Sequence, residues 1–113
     1  MDRQKLIDAG IDYENGVERL MGNTEMYEHF LQMFLEDDSF KNLDDAMHNH
    51  HYPEAFLQAH TLKGVAGNLS MGKFYQNLIL FVEMLRNSTD IPGAVKLYPE
   101  IKKEYEDIIT AIL

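Results

Sequence analysis

Apolar residues recur at intervals of three and four along nearly the whole chain, and no stretch of four or more positions alternates as a strand does. The spacing predicts helices only. Leu6 and Ile7 mark a short opening helix ended by Gly10, and a second short segment is expected from Asp12 to Met21, stopped by Gly22 and Asn23. Asn15 and Gly16 leave open a turn in its place. Thr24 is the expected N-cap of the next helix, with Glu25 and Glu28 in the first turn where the helix dipole favours negative charge. Met26, Phe30, Met33, Phe34, Phe40, Leu43 and Met47 then read as one apolar stripe. They predict a single helix reaching almost to Asn49, on the order of 35 Å long.

Asn49 to Pro53, "NHHYP", breaks that pattern, and Pro53 is suited to open a helix running to about Ser70. After a turn at Met71 and Gly72, the spacing of Phe74, Leu78, Phe81, Val82 and Leu85 predicts another helix, ended by "NSTD". A last one begins around Ile91 and Pro92 and carries Val95, Ile101, Tyr105, Ile108 and Ile112, with Pro99 expected to kink or split it. Short connections favour antiparallel neighbours. The expected fold class is therefore all-α: an antiparallel up-and-down four-helix bundle with short additional N-terminal helices, forming one domain over residues 1–113. Its seven methionines and six phenylalanines read as core filling.

Composition changes this picture little, but narrows the partners. The formal charge is −9, and no basic cluster longer than Lys102 and Lys103 occurs, so a phosphate backbone or an anionic lipid surface would be repelled. Nucleic acid and membrane partners are not expected. The absence of cysteine removes disulfides and thiolate chemistry, and with no long apolar run the expected location is cytoplasmic.

One stretch resists a purely structural account: "AHTLKGVAGNLS", Ala59 to Ser70. On a helical wheel Leu62, Val65, Ala66 and Leu69 gather on one side as the core face, whereas His60, Lys63, Gly64, Gly67 and Met71 collect on the other. Each mid-helix glycine costs about 0.8–1.0 kcal/mol relative to alanine. On an exposed face the two glycines strip Cβ atoms beside His60 and leave a flat approach to its ring. A neutral imidazole is a competent nucleophile, and Lys63 one turn on supplies positive charge for an incoming phosphoryl group. The combination suits transient phosphorylation of histidine. No glycine-rich phosphate loop, kinase motif or nucleophile-base-acid set accompanies it, so an ATP-using enzyme is not expected.

These residues resemble the phosphoacceptor signature of histidine-containing phosphotransfer (HPt) domains, in which His is followed at the third and fourth positions by Lys and Gly, then by a further small residue. "IDYENGVERLMGN" ahead of a long helix is similar to the family's opening. The resemblance implies a phosphorelay intermediary in two-component signalling. It would take a phosphoryl group from the aspartate of one receiver domain and pass it to another, with response-regulator receivers and a hybrid sensor histidine kinase as partners. On that reading His60 is phosphorylated at Nε2, Lys63 stabilises the phosphoryl charge, and Gly64 and Gly67 clear the docking surface. Mg²⁺ belongs to the receiver and no cofactor to this chain, which is expected to be a monomer without catalysis of its own.

Two positions depart from the family pattern. Ser70 stands where glycine is common, and Val82 where many members carry a glutamine or glutamate that reaches the imidazole; a regular helix turns the adjacent Glu83 elsewhere. Phe56 and Met71 flank the His60 face, either as docking residues or as the margin of the core, with the core favoured for Phe56. A helical adaptor that docks without phosphotransfer is the alternative function. A metal site built on His48, His50 and His51 is a third, weakened by the lack of a clear fourth ligand.

Overall fold

Short polar side chains set most of the helix starts. A computed structural model of the chain describes all residues, 1–113, and contains helices but no strand. The Asp2 carboxylate accepts from the Lys5 amide at the start of α1 (Arg3–Asp8), and Asp12 accepts from Asn15 at the start of α2 (Tyr13–Glu18). Asn23 accepts from Met26 ahead of α3 (Thr24–Phe34). The cap of α3 is thus Asn23, with Thr24 its first helical residue. Asn15 and Gly16 are helical, and α2 stops at Glu18, short of Met21.

The single long helix expected from Thr24 to Asn49 is two. After α3 the amides of Leu35, Glu36 and Asp37 donate to the carbonyls three residues back, tightening the last turn. The Asp37 carboxylate then accepts from the Ser39 amide, and α4 (Ser39–His48) sets off afresh. The break changes which residues face inward. Tyr27, Leu31 and Phe34 are the buried residues of α3, whereas Met26, Phe30 and Met33 are exposed. In α4, Phe40, Leu43 and Met47 point into the core as the spacing predicts, joined by Ala46.

His51 precedes α5 (Tyr52–Asn68), which carries Pro53 in its first turn, where a missing amide hydrogen does no harm. α6 (Gly72–Leu85) buries Phe74, Leu78, Phe81, Val82 and Leu85, the five expected residues. A short 3₁₀ turn, Arg86–Ser88, leads to Asp90, which caps α7 (Ile91–Ile112) through the Gly93 amide. Pro99 does not split α7, which continues unbroken for 22 residues; Val95 is exposed and Tyr105 half-buried, with Ala94, Ile101, Ile108 and Ile112 on the inner face.

The main packing runs in chain order: α5 lies against both α4 and α6, and α6 against α7. α1 rests on α7. Aromatic rings fill the seam beside α7, with Tyr105 stacked on Phe40 at 3.9 Å between centroids and close to Phe34 and Phe74. At the other end, α2 meets α3 where Gly16 faces the Tyr27 ring; a Cβ there would fall 2.2 Å from Tyr27 Cζ. No helix is long and apolar enough to cross a membrane.

One carboxylate lies inside this packing. Glu104 on α7 is buried, and the Asn77 side-chain amide on α6 donates to both its oxygens at 2.9 Å. Burial raises its pKa, only partly offset by the Asn77 hydrogen bond. Folding therefore favours the protonated acid. The stability this gives is full below the unfolded-state pKa and is lost as pH rises through the higher folded-state value. Glu104→Gln is expected to raise the thermal unfolding midpoint relative to wild type at neutral pH, and the gain should shrink as the pH is lowered into the mildly acidic range. A constant difference across that range would show that Glu104 ionisation does not act on stability.

Candidate functional site

α5 presents its two sides very differently. Ala55, Ala59, Leu62 and Ala66 are fully enclosed against the neighbouring helices, while His60 and Gly64 are exposed and Lys63 is half-buried between the two sides. The alanines allow close approach of α4 and α6 to one side of the helix and leave the other free. The wheel drawn from sequence thus places His60 correctly. Val65, assigned there to the core face, is only half-buried.

The two glycines do different jobs. A Cβ built on Gly64 would meet nothing within 4 Å, so the surface beside His60 is open there. A Cβ on Gly67 would sit 2.9 Å from Tyr75 Cε1, and the Gly67 carbonyl accepts from Arg19 Nη1 at 2.6 Å. Gly67 therefore lets the Tyr75 ring close over α5, a packing role in place of the bare surface expected of it.

Met71 is a correction. The wheel carried the helix past its end: α5 stops at Asn68, Ser70 adopts a left-handed φ of 58°, and the chain turns inward. Met71 is fully buried ahead of α6, so it belongs to the core and not to a docking patch. Glycine adopts such a φ without strain, so the serine is held there at a local backbone cost. Here the serine hydroxyl donates to Asn15 Oδ1 at 2.8 Å, while the Ser70 carbonyl accepts from the Asp12 amide at 2.8 Å. Tyr27 Oη donates to the neighbouring Leu69 carbonyl at 2.6 Å. The N-terminal helices are thereby tied to the end of α5.

Phe56, one turn before His60, is half-buried, with its ring centroid 6.0 Å from the imidazole. Its other contact was not anticipated. The Arg86 guanidinium lies over the Phe56 ring, 4.9 Å from the centroid, and Arg86 Nη2 pairs with Glu83 Oε1 at 3.1 Å. The Arg86 hydrogen bond holds the Glu83 carboxyl below its ordinary pKa, and the charges of Arg86 and Lys63 act in the same direction. Val82 faces the interior, as expected, and offers the imidazole no polar atom. The spacing of Glu83 and Arg86, three apart on a helix, was the available sequence signal.

Two shallow grooves border α5. One, of about 470 Å³, starts at Lys63 and Gly64 and continues past Gly67 and Tyr75 to Asn15 and Arg19. The other, of about 480 Å³, is mainly apolar and is lined by Phe30, Met33 and Tyr27 of α3 with Val65 and Leu69. Sequence spacing had put Phe30 and Met33 in the core; the break after α3 instead leaves them, at 37% and 53% exposure, on the surface beside α5. Leu57, 56% exposed, adds an apolar residue to α5 itself.

The remaining histidines are not drawn together. His48 Nδ1 lies 2.8 Å from the Asp44 carbonyl oxygen, His50 Nδ1 lies 2.9 Å from Tyr52 Oη, and no group of three or more His, Asp or Glu side chains is arranged to hold a metal ion. No protein-family model, curated protein or solved structure matches the chain.

Gly64 supplies a direct test of the open face. Gly64→Ala should raise unfolding stability by about 1 kcal/mol, since alanine is the better helix former and meets no obstacle. A loss of stability on chemical denaturation would mean that the space beside His60 is not free.

Proposed function

We propose that this chain is an antiparallel four-helix bundle of the histidine phosphotransfer kind, relaying a phosphoryl group between receiver-domain aspartates through His60. The observation that carries the proposal is an exposed imidazole beside a glycine whose Cβ position is empty, with Lys63 one turn on. A nucleophile that must enter another protein's active site needs a protruding ring and a low surround, and this face supplies both.

In the reaction, Nε2 attacks the phosphorus of an aspartyl phosphate. The N–P bond forms, the P–O bond to the aspartate breaks, and the carboxylate departs with the bonding pair while Nδ1 keeps its proton. The Lys63 ammonium offsets charge on the phosphoryl oxygens. Mg²⁺ and the rest of the transfer machinery belong to the receiver, so this chain has no catalysis of its own, and hybrid sensor kinases and response regulators are its partners. The exposed Leu57 on α5, with Phe30 and Met33 in the groove beside Val65, offers apolar contacts that a protein partner would cover. They also favour the second reading, a helical adaptor that docks without transfer.

Incubation with a phosphorylated receiver separates the two. The protein should acquire an acid-labile, base-stable label that is absent from His60→Gln, and Lys63→Ala should slow its appearance about tenfold, as loss of one favourably placed charge implies. Receiver binding without label across a range of active receivers would leave the adaptor standing and remove the relay.

A further inference from the structure

Glu83, Arg86 and Phe56 form a cluster beside His60 to which the relay reaction assigns nothing. The Glu83 carboxylate accepts from Arg86 Nη2 at 3.1 Å and from Arg86 Nε at 3.2 and 3.3 Å. The same guanidinium rests on Phe56, the ring next to the imidazole. The Arg86 guanidinium therefore lies one aromatic ring away from the imidazole, held by an anion and a π-face and partly exposed to solvent.

Resting on the relay reading, we propose that Glu83 is a built-in competitor for the phosphoryl group: it holds Arg86 while His60 is bare and gives it up when His60 is phosphorylated, with Phe56 as the surface on which the guanidinium pivots. A phosphoryl group on nitrogen carries two negative charges and three acceptor oxygens. It offers the planar guanidinium a stronger bidentate partner than one exposed carboxylate. Phosphorylation then exchanges one counter-anion for another without opening the core.

This arrangement has a signature that a surface staple lacks. If the pair only fastened α6 to the turn that follows it, removing either partner would have the same small effect. As competitor and ligand, the two residues must act in opposite directions.

The test uses phosphoramidate, a small P–N donor that releases ammonia as the His60 N–P bond forms and needs no receiver. Phosphohistidine formation and hydrolysis are followed by phosphorus NMR, with circular dichroism melts to check that each variant is folded. Glu83→Gln should accelerate labelling or prolong the phosphohistidine about two- to fivefold, and Arg86→Ala should do the reverse by a similar factor, the range expected of exposed charge pairs. Arg86→Lys should restore part of the loss, and adding Glu83→Gln to Arg86→Ala should change nothing further. Equal rates in all variants, or shifts of the same sign for Glu83→Gln and Arg86→Ala, overturn the proposal. They leave the relay reading intact. An unlabelled His60 in the wild type overturns the proposal as well, and transfer from a phosphorylated receiver then decides whether the relay reading falls with it.

Discussion

Close packing by small side chains along one side of α5 is the constraint on which the rest depends. Ala55, Ala59 and Ala66, with Leu62 among them, let α4 and α6 approach that side of the helix and enclose it fully. A helix anchored so firmly on one side keeps its shape while the other stays bare. Two glycines in its second half would otherwise invite fraying, since each forfeits helix propensity. The outward position of His60 is thus a product of the inward alanines as much as of Gly64.

Much of this was legible in the sequence, because a 3.6-residue period is a strong signal wherever one face is buried and the other is not. The buried residues of α6 and the outward placement of His60 and Gly64 followed from it. The failures cluster where a helix ends. Around Leu35 to Asp38, apolar residues continue on both sides of the break, so the stripe reads straight through it; only the paired aspartates hint at a restart, and the change of face they cause puts Phe30 and Met33 outside. Met71 failed for the same reason, as a wheel has no meaning beyond Asn68. Pro99 was expected to kink or split α7; the helix is not split, and Ile101, Ile108 and Ile112 are buried along its inner face.

At the candidate site, sequence located the residues that point outward and missed the interactions across elements. The contact of Arg86 with Phe56 joins the end of α6 to the first half of α5, and no local spacing announces it. Likewise Gly64 and Gly67 look equivalent in the motif. Their surroundings separate them: one faces open space and the other faces the Tyr75 ring. Two identical residues one turn apart thus face open solvent and the packed fold respectively.

The ties from Asn15 to Ser70 and from Arg19 to Gly67 have a consequence for where the domain begins. The stretch ahead of α3 contributes little of the long helices, and an engineer trimming a minimal version would be tempted to start at Thr24. Such a cut would strip the hydroxyl and carbonyl partners from the left-handed corner after α5 and uncover the Gly67 carbonyl. The irreducible unit therefore includes α2 and the turn that follows it, which act as a clasp on the far end of the histidine-bearing helix.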